Sequence, residues 1–471
     1  MKTTAFLLTF LALAGLPCRS PAAGPARPNV ILFLVDDQGY GDLGCHGNAQ
    51  VRTPQMNRFA RQSIELTQFY AQPVCSPTRA CLMSGRYNFR TGVTDVFKPN
   101  YEMHAEEVTV AEAFRDANYA TGMFGKWHLG EEIGHRPNEQ GFQESLTFSS
   151  PALREYFDPT LVENGVTKKF NGYCMDIFTD QAIDFIRRHR SEPFFLYLPA
   201  NLIHSPLQVA EKLVEPYARA GLDERTSKVW AMLQNVDTNF GRLLAVLKEL
   251  GLEENTLVFL TSDNGSCSDS TTTQRFMAGL RGLKGTPYEG GIRVPTFARW
   301  PGHFPAGAST DGMGAVQDVM PTLLEACGVS RPAGVQWDGM SLLPLLRNPA
   351  AAWPERTLVF QWDGHPVPQR GSCFSLRSGR YKLVQSRGLV DDPRQKHILA
   401  TYAMLCTTQD RGPLTIEGEP QYELFDLAAD PGETQDLAGE HPEIVARLKR
   451  SYNEWFDDVW ANAHPPTAAT P

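Results

Sequence analysis

Residues 29–35 (NVILFLV) form a continuous apolar run rich in branched side chains, the pattern of a strand buried on both faces of a parallel sheet. Similar runs recur at Tyr119–Phe124, Phe194–Leu198 and Thr256–Thr261. Helical patterns lie between them. One begins at Thr53-Pro54, with threonine as N-cap and proline in the first helical position. Another covers about Val108 to Asn118. A third runs from about Ser227 to Leu250, with Val229, Leu233, Val236, Phe240, Leu244 and Leu247 on one face and Gly251 as its stop. Strand and helix alternate, so the pattern predicts an α/β fold: a large, mostly parallel sheet sandwiched by helices.

The alternation fades after Leu346. Residues 348–354 (NPAAAWP) read as a linker, and short strand patterns follow at Thr357–Trp362, Arg380–Val384 and Tyr422–Leu427. An amphipathic helix over about Pro442–Val459 places Ile444, Leu448, Tyr452, Trp455 and Val459 on one stripe. The expected organisation is a main domain over 27–350 and a smaller C-terminal α+β domain over 355–460 with an antiparallel sheet.

Composition narrows the class. The 42% hydrophobic and 21% charged residues of the 471-residue chain fit a folded globular protein rather than a disordered one. A formal net charge of −9 argues against nucleic-acid binding, so an anionic substrate has to be held by local Arg and Lys residues. Lys2 followed by the apolar run Ala5–Leu16 and the small residues Ser20, Ala22, Ala23 and Gly24 reads as a signal peptide over 1–24. The protein is therefore expected to be exported, periplasmic or secreted. Cys18 offers a lipoprotein alternative that Pro17 disfavours. No second apolar stretch is long enough to be a transmembrane segment. The nine cysteines are scattered, without the paired spacing of a zinc site.

The polar residues that follow each apolar run carry the chemistry. The run at 29–35 ends in Asp36-Asp37, and the run at Thr256 in Asp263-Asn264-Gly265. The run at Phe194 leads to His204, and the run at Tyr119 to Gly125-Lys126-Trp127-His128. In open α/β sheets ligands bind beyond the carboxyl ends of the strands, so these four ends should converge. Asp36, Asp37, Asp263 and Asn264 offer hard oxygen ligands, suited to calcium or magnesium; each pair alone also fits an ordinary turn. In Cys75-Ser76-Pro77-Thr78-Arg79, Pro77 fits the first turn of a helix, which puts Cys75 at its N-terminus with Arg79 one turn on.

Taken together, these segments resemble the sulfatase family of the alkaline phosphatase superfamily. Cys75-x-Pro77-x-Arg79 matches the motif in which the family's cysteine becomes formylglycine; the family's later Thr-Gly is Ser84-Gly85 here. Residues 119–128, ending Gly125-Lys126-Trp127-His128, match a second motif, with Asn118 in place of its leading glycine. His204 in His-Ser-Pro, Asp263-Asn264-Gly265, Lys284 in Gly-Leu-Lys-Gly, and the pieces Arg380–Leu383 and Leu424–Asp426 also match.

The resemblance implies roles for these residues. Asp36, Asp37, Asp263, Asn264 and the modified Cys75 (3-oxoalanine) are expected to bind one calcium ion, with magnesium as the alternative. Arg79, Lys126, His128, His204 and Lys284 are expected to surround the sulfate, joined by Ser149 or Ser150. The expected reaction is hydrolysis of a sulfate ester, with the hydrated aldehyde as nucleophile. His204, alone or with Lys284, is the acid for the departing alcohol, and His128 the base that releases sulfate. A formylglycine-generating enzyme is the implied maturation partner and a sulfated carbohydrate the expected substrate. Competing readings are a phosphate mono- or diester hydrolase on the same scaffold and a non-catalytic glycan-binding protein. Recognition is expected from the loops 90–101, 151–171 and 267–281 and from the smaller domain.

Overall fold

A computed structural model describes residues 27–149, 151–267, 274–364, 367–386 and 421–461. The segment 1–24 predicted to be a signal peptide, with Cys18, and Ser150 lie outside the described residues. The main sheet has ten strands. In spatial order they are Ala308–Thr310, Ile64–Leu66, Phe297–Arg299, Thr256–Ser262, Asn29–Val35, Phe194–Pro199, Ala120–Phe124, Glu144–Thr147, Thr160–Glu163 and Val166–Lys169.

The five neighbours from Thr256–Ser262 to Glu144–Thr147 run parallel, in register through Asn29↔Thr256, Val30↔Phe195, Gly122↔Leu196 and Gly122↔Glu144. The four strands read from sequence are therefore adjacent, and their carboxyl ends share one edge. Antiparallel strands flank them at Phe297–Arg299 and at the hairpin Thr160–Lys169.

The central strand shows why the run has no polar face. Ile31, Phe33 and Val35 enter one core, packed by the helices Cys174–Arg188 and Glu224–Glu249. Val30, Leu32 and Leu34 enter the opposite core, with the helices Cys75–Ser84, Val110–Asp116 and Val319–Ala326. Successive side chains point to opposite faces, and both faces are covered. Each such fully buried side chain contributes about 1.5–3 kcal/mol.

The predicted helices appear with shifted ends. Thr109 caps Val110–Asp116 in a capping box with Glu112. The long helix starts at Glu224 rather than near Ser227, because the Asp223 carboxylate accepts from Thr226 N–H at 2.8 Å and caps it earlier.

The smaller sheet is antiparallel, in the order Thr357–Gln361, Phe374–Ser378, Tyr381–Gln385, Glu423–Asp426. The helix Pro442–Ala461 packs on it through Leu448, Tyr452, Phe456 and Val459, with Tyr452 stacked on Phe374 at 3.7 Å. Trp362, just past the end of the first strand of this sheet, is buried, and its indole N–H donates to Asp95 at 3.0 Å.

Candidate active site

Backbone bonding continues past the strand ends and locks the acidic residues in place. Asp36 N–H donates to Leu202 O at 2.9 Å, Ile203 N–H to Asp36 O at 2.6 Å, and Asp263 N–H to Val35 O at 3.2 Å. Gly125 sits at φ 140°, where an added Cβ would fall 1.9 Å from Pro199 O; only glycine lets Lys126 follow the strand so closely. The helix Cys75–Ser84 is buried along its whole length, so the sequence Cys-Ser-Pro-Thr-Arg delivers both Cys75 and Arg79 into the interior.

These elements bring together nearly all the residues predicted to act. Asp36, Asp37 and Asp263 each offer an oxygen within 4.8 Å of the others, and all three are buried. Arg79 donates to Asp263 Oδ2 from Nη2 (2.7 Å) and Nε (3.2 Å), and from Nη1 to Lys126 O at 2.6 Å. Lys126 Nζ lies 2.7 Å from Asp36 Oδ2, and Lys284 Nζ lies 2.5 Å from Asp37 Oδ1. Asn264 Nδ2 donates to Asp37 Oδ1 at 2.8 Å. Cys75 Sγ is 3.3 Å from His128 Nδ1. His128 Nε2 faces Val96 O at 3.0 Å and His204 Nδ1 faces Ser205 O at 2.7 Å. His128 also forms part of a cleft wall with Tyr101, Trp127, Arg136, Asn138 and the exposed Ser149.

Electrostatics follow from burial and crowding. Burial and the neighbouring Asp36 push Asp263 up to about 6 despite Arg79, a sign of carboxylates packed against one another. Asp37 stays well below the usual carboxylate range: burial opposes this, but Lys284 and His204 overcome it. Burial, then Lys284 and Lys126, press His204 down to about 3. Burial, then Lys126 and Arg79, hold His128 far below the ordinary imidazole value. Both rings are neutral at pH 7. Burial pushes the Cys75 thiol up against the pull of Lys126 and Lys284, so an unmodified Cys75 is a protonated thiol.

The donor set fits a hard divalent cation. Asp36 Oδ1 and Asn264 Oδ1 are buried without a hydrogen-bond partner, which is costly unless something else binds them. Formal charges of −3 from Asp36, Asp37 and Asp263 and +3 from Arg79, Lys126 and Lys284 cancel. A divalent ion leaves the site at +2, suited to an anionic ester.

Sequence reasoning missed the support behind Asp37. Arg275 Nη2 donates to Asp37 O at 2.8 Å, and its guanidinium is paired with the buried Asp42. Asp42 in turn accepts from Gly39 N–H at 2.7 Å and Ser266 Oγ at 3.2 Å. No motif links two residues so far apart in sequence.

Residues 28–329 match the sulfatase family model, and residues 284–392 match the C-terminal model of N-sulphoglucosamine sulphohydrolase. The chain belongs to the sulfatase family. This sulfatase is 32% identical to human arylsulfatase A, over 90% of its own length and 86% of that protein. It is also 32% identical to the N-acetylgalactosamine-6-sulfatase of Sus scrofa, over 94% and 87%. Its fold is that of Ps i-CgsB, solved with k-i-k-neocarrahexaose, at a TM-score of 0.77, 24% identity and 94% coverage of each chain. It is therefore a sulfuric ester hydrolase of the alkaline phosphatase superfamily, a family whose members use formylglycine and a divalent metal.

Proposed function

We propose that this sulfatase removes sulfate from a carbohydrate ester, using formylglycine made from Cys75 and a calcium ion held by Asp36, Asp37, Asp263, Asn264 and residue 75. The observation that carries this is Cys75 at a buried helix N-terminus, 3.3 Å from His128, beside a carboxylate cluster in which Asp36 Oδ1 and Asn264 Oδ1 have no hydrogen-bond partner. Addition of water to the aldehyde would supply a diol hydroxyl as the oxygen nucleophile, which a protonated thiol does not offer, and a cation held by these residues would lower the proton affinity of that oxygen.

The chain's own residues do the rest. Val96 O accepts from His128 Nε2–H, which leaves Nδ1 as a free base facing residue 75. Arg79 fixes Asp263 and the Lys126 carbonyl together, holding acid and base at one spacing. Lys126 and Lys284 carry positive charge toward the sulfate oxygens, where little water screens it. His204 is neutral at rest because burial first, and then Lys284 and Lys126, oppose its protonation; a bound sulfate anion offsets both lysines and lets it act as acid for the departing alcohol. Ser149, on the cleft wall, is the serine we assign to sulfate contact.

A carbohydrate substrate is favoured by the relatives named for N-acetylgalactosamine-6-sulfate and by the structural neighbour that holds a neocarrahexaose. We read residues 27–350 as the catalytic domain and 355–460 as the smaller one, exported by the segment 1–24. No described helix is long and apolar enough to cross a membrane.

The test is twofold. Mass spectrometry of the tryptic peptide 62–79 from active enzyme is expected to show the aldehyde at residue 75; full activity with only the thiol there overturns the nucleophile. A panel of sulfate, phosphate monoester and phosphate diester substrates is expected to favour sulfate. Preference for a phosphate ester would install the competing reading.

A further inference from the structure

Lys284 sits on a strap, residues 281–292, tied to the site by its backbone. Lys284 N–H donates to Ser266 O (2.9 Å), Gly285 N–H to Pro73 O (2.8 Å), and Gly291 O accepts from Gly265 N–H (2.9 Å). Gly265 lets the strap close on Asp263-Asn264-Gly265, since a Cβ there would fall 1.9 Å from Gly290 O. The strap thus touches the segment before Cys75, the segment after Asn264 and, through Lys284 Nζ, Asp37.

Its far end is held from outside the main sheet. Glu289, 1% exposed, has Lys382 Nζ 3.0 Å from Oε1, while Tyr70 donates to Oε2 at 3.1 Å. Lys382 belongs to the strand Tyr381–Gln385 of the smaller sheet and is fully buried. The same ammonium lies 2.8 Å from Glu433 Oε1, and Glu433 Oε2 accepts from Glu289 N–H at 2.7 Å. Side chain, ammonium, second carboxylate and backbone N–H form a ring, in which Glu433 Oε1 is close to the ammonium without hydrogen-bond geometry. A buried ion pair adds little net stability over apolar packing, because desolvation offsets its attraction. What it adds is direction: one ammonium between two carboxylates fixes a distance that methylene contacts leave loose.

We propose that Lys382 is a positioning residue for the sulfate site, setting through Glu289 where the strap presents Lys284. The smaller sheet then serves catalysis through the strap. This rests on the assignment of Lys284 to sulfate made above.

The experiment uses the matured full chain as wild type, Lys382→Met, Lys382→Arg and Glu289→Gln. A small aryl sulfate reports KM and kcat, and calorimetry reports binding of inorganic sulfate, which follows the site whether or not an ester turns over. For Lys382→Met, KM and the sulfate dissociation constant are expected to rise together by about tenfold or more, with formylglycine content unchanged. Lys382→Arg is expected to recover to within about threefold of wild type. Should Lys382→Met fail to fold, Glu289→Gln carries the test with a smaller rise in the same two constants. Folded variants with a lower melting temperature but wild-type KM and sulfate binding overturn the proposal, leaving the ring a purely structural contact. A wild type that binds sulfate yet turns over no sulfate ester would instead count against the proposed reaction.

Discussion

Two buried charge clusters stand a few residues apart on the 281–292 strap, and they are built differently. Around Asp36, Asp37 and Asp263, every base is paired, yet Asp36 Oδ1 and Asn264 Oδ1 remain without partners. Around Lys382, two carboxylates close on one ammonium and on Glu289 N–H. The first cluster has acceptors to spare and opens beside Cys75 and His128. The second also leaves one acceptor, Glu433 Oε1, without a hydrogen-bond partner, but its contacts are Lys382, Tyr70 and Glu289 N–H rather than a cysteine and a histidine. Burial alone therefore does not mark chemistry. Surplus acceptors next to a reactive group do.

The largest test of that contrast is removal of the cation. Dialysis against a chelator is expected to abolish most turnover and lower the melting temperature, because three crowded carboxylates repel one another without it. Asp263→Asn is expected to cut kcat/KM by about two orders of magnitude and reduce bound metal, read by elemental analysis. Equal activity in a sample shown to be metal-free would erase the distinction between the clusters.

The two clusters should also respond to pH in opposite senses. His204 falls from 6.5 to about 3 on folding, so its contribution to stability is full above pH 6.5 and is lost as pH drops toward 3. Glu433 is pushed from 4.5 up to about 7, by burial first and then by Glu289 despite Lys382. Its contribution is full below pH 4.5 and is lost as pH rises through 7. Denaturant unfolding across pH 4–9 is expected to show His204→Gln flattening the acid limb and Glu433→Gln the alkaline one. Each slope is at most about 1.4 kcal/mol per pH unit. Loss of the same limb in both variants would contradict the assignment.

The smallest effect is expected from Ser149→Ala. One hydrogen bond from an exposed hydroxyl to the anionic sulfate is worth about 1.5 kcal/mol, so KM should rise roughly tenfold with kcat little changed. An unaltered KM would pass the role to another residue.

Much of the first cluster was legible because its members sit at strand ends or in short motifs. Asp36-Asp37, Lys126, His128, His204 and Asp263-Asn264 each follow a run whose lack of polar residues marks a two-sided buried strand. The second cluster was not legible. Glu289, Lys382 and Glu433 come from separate segments, and nothing local says that they meet. The same holds for Arg275 and Asp42. Other omissions had a readable signal. The segment 151–171 reads as a loop, but Asn164 and Gly165 sit at φ 48° and 81°, and an Asn-Gly pair between TLVE and VTKK is a strong hairpin signal. Phe374–Ser378 (FSLRS) escaped because its central position in the smaller sheet buries residues that look half-polar. The helix Cys174–Arg188 carries a regular apolar stripe that periodicity could have found.

The helix Cys75–Ser84 is enclosed on every side, Ser76 and Thr78 included. A second enzyme that recognises Cys-Ser-Pro-Thr-Arg as an extended peptide finds no such peptide on the finished molecule. If residue 75 is converted as proposed, that step would belong to the interval before the chain closes over it, and folding speed would set how long that interval lasts.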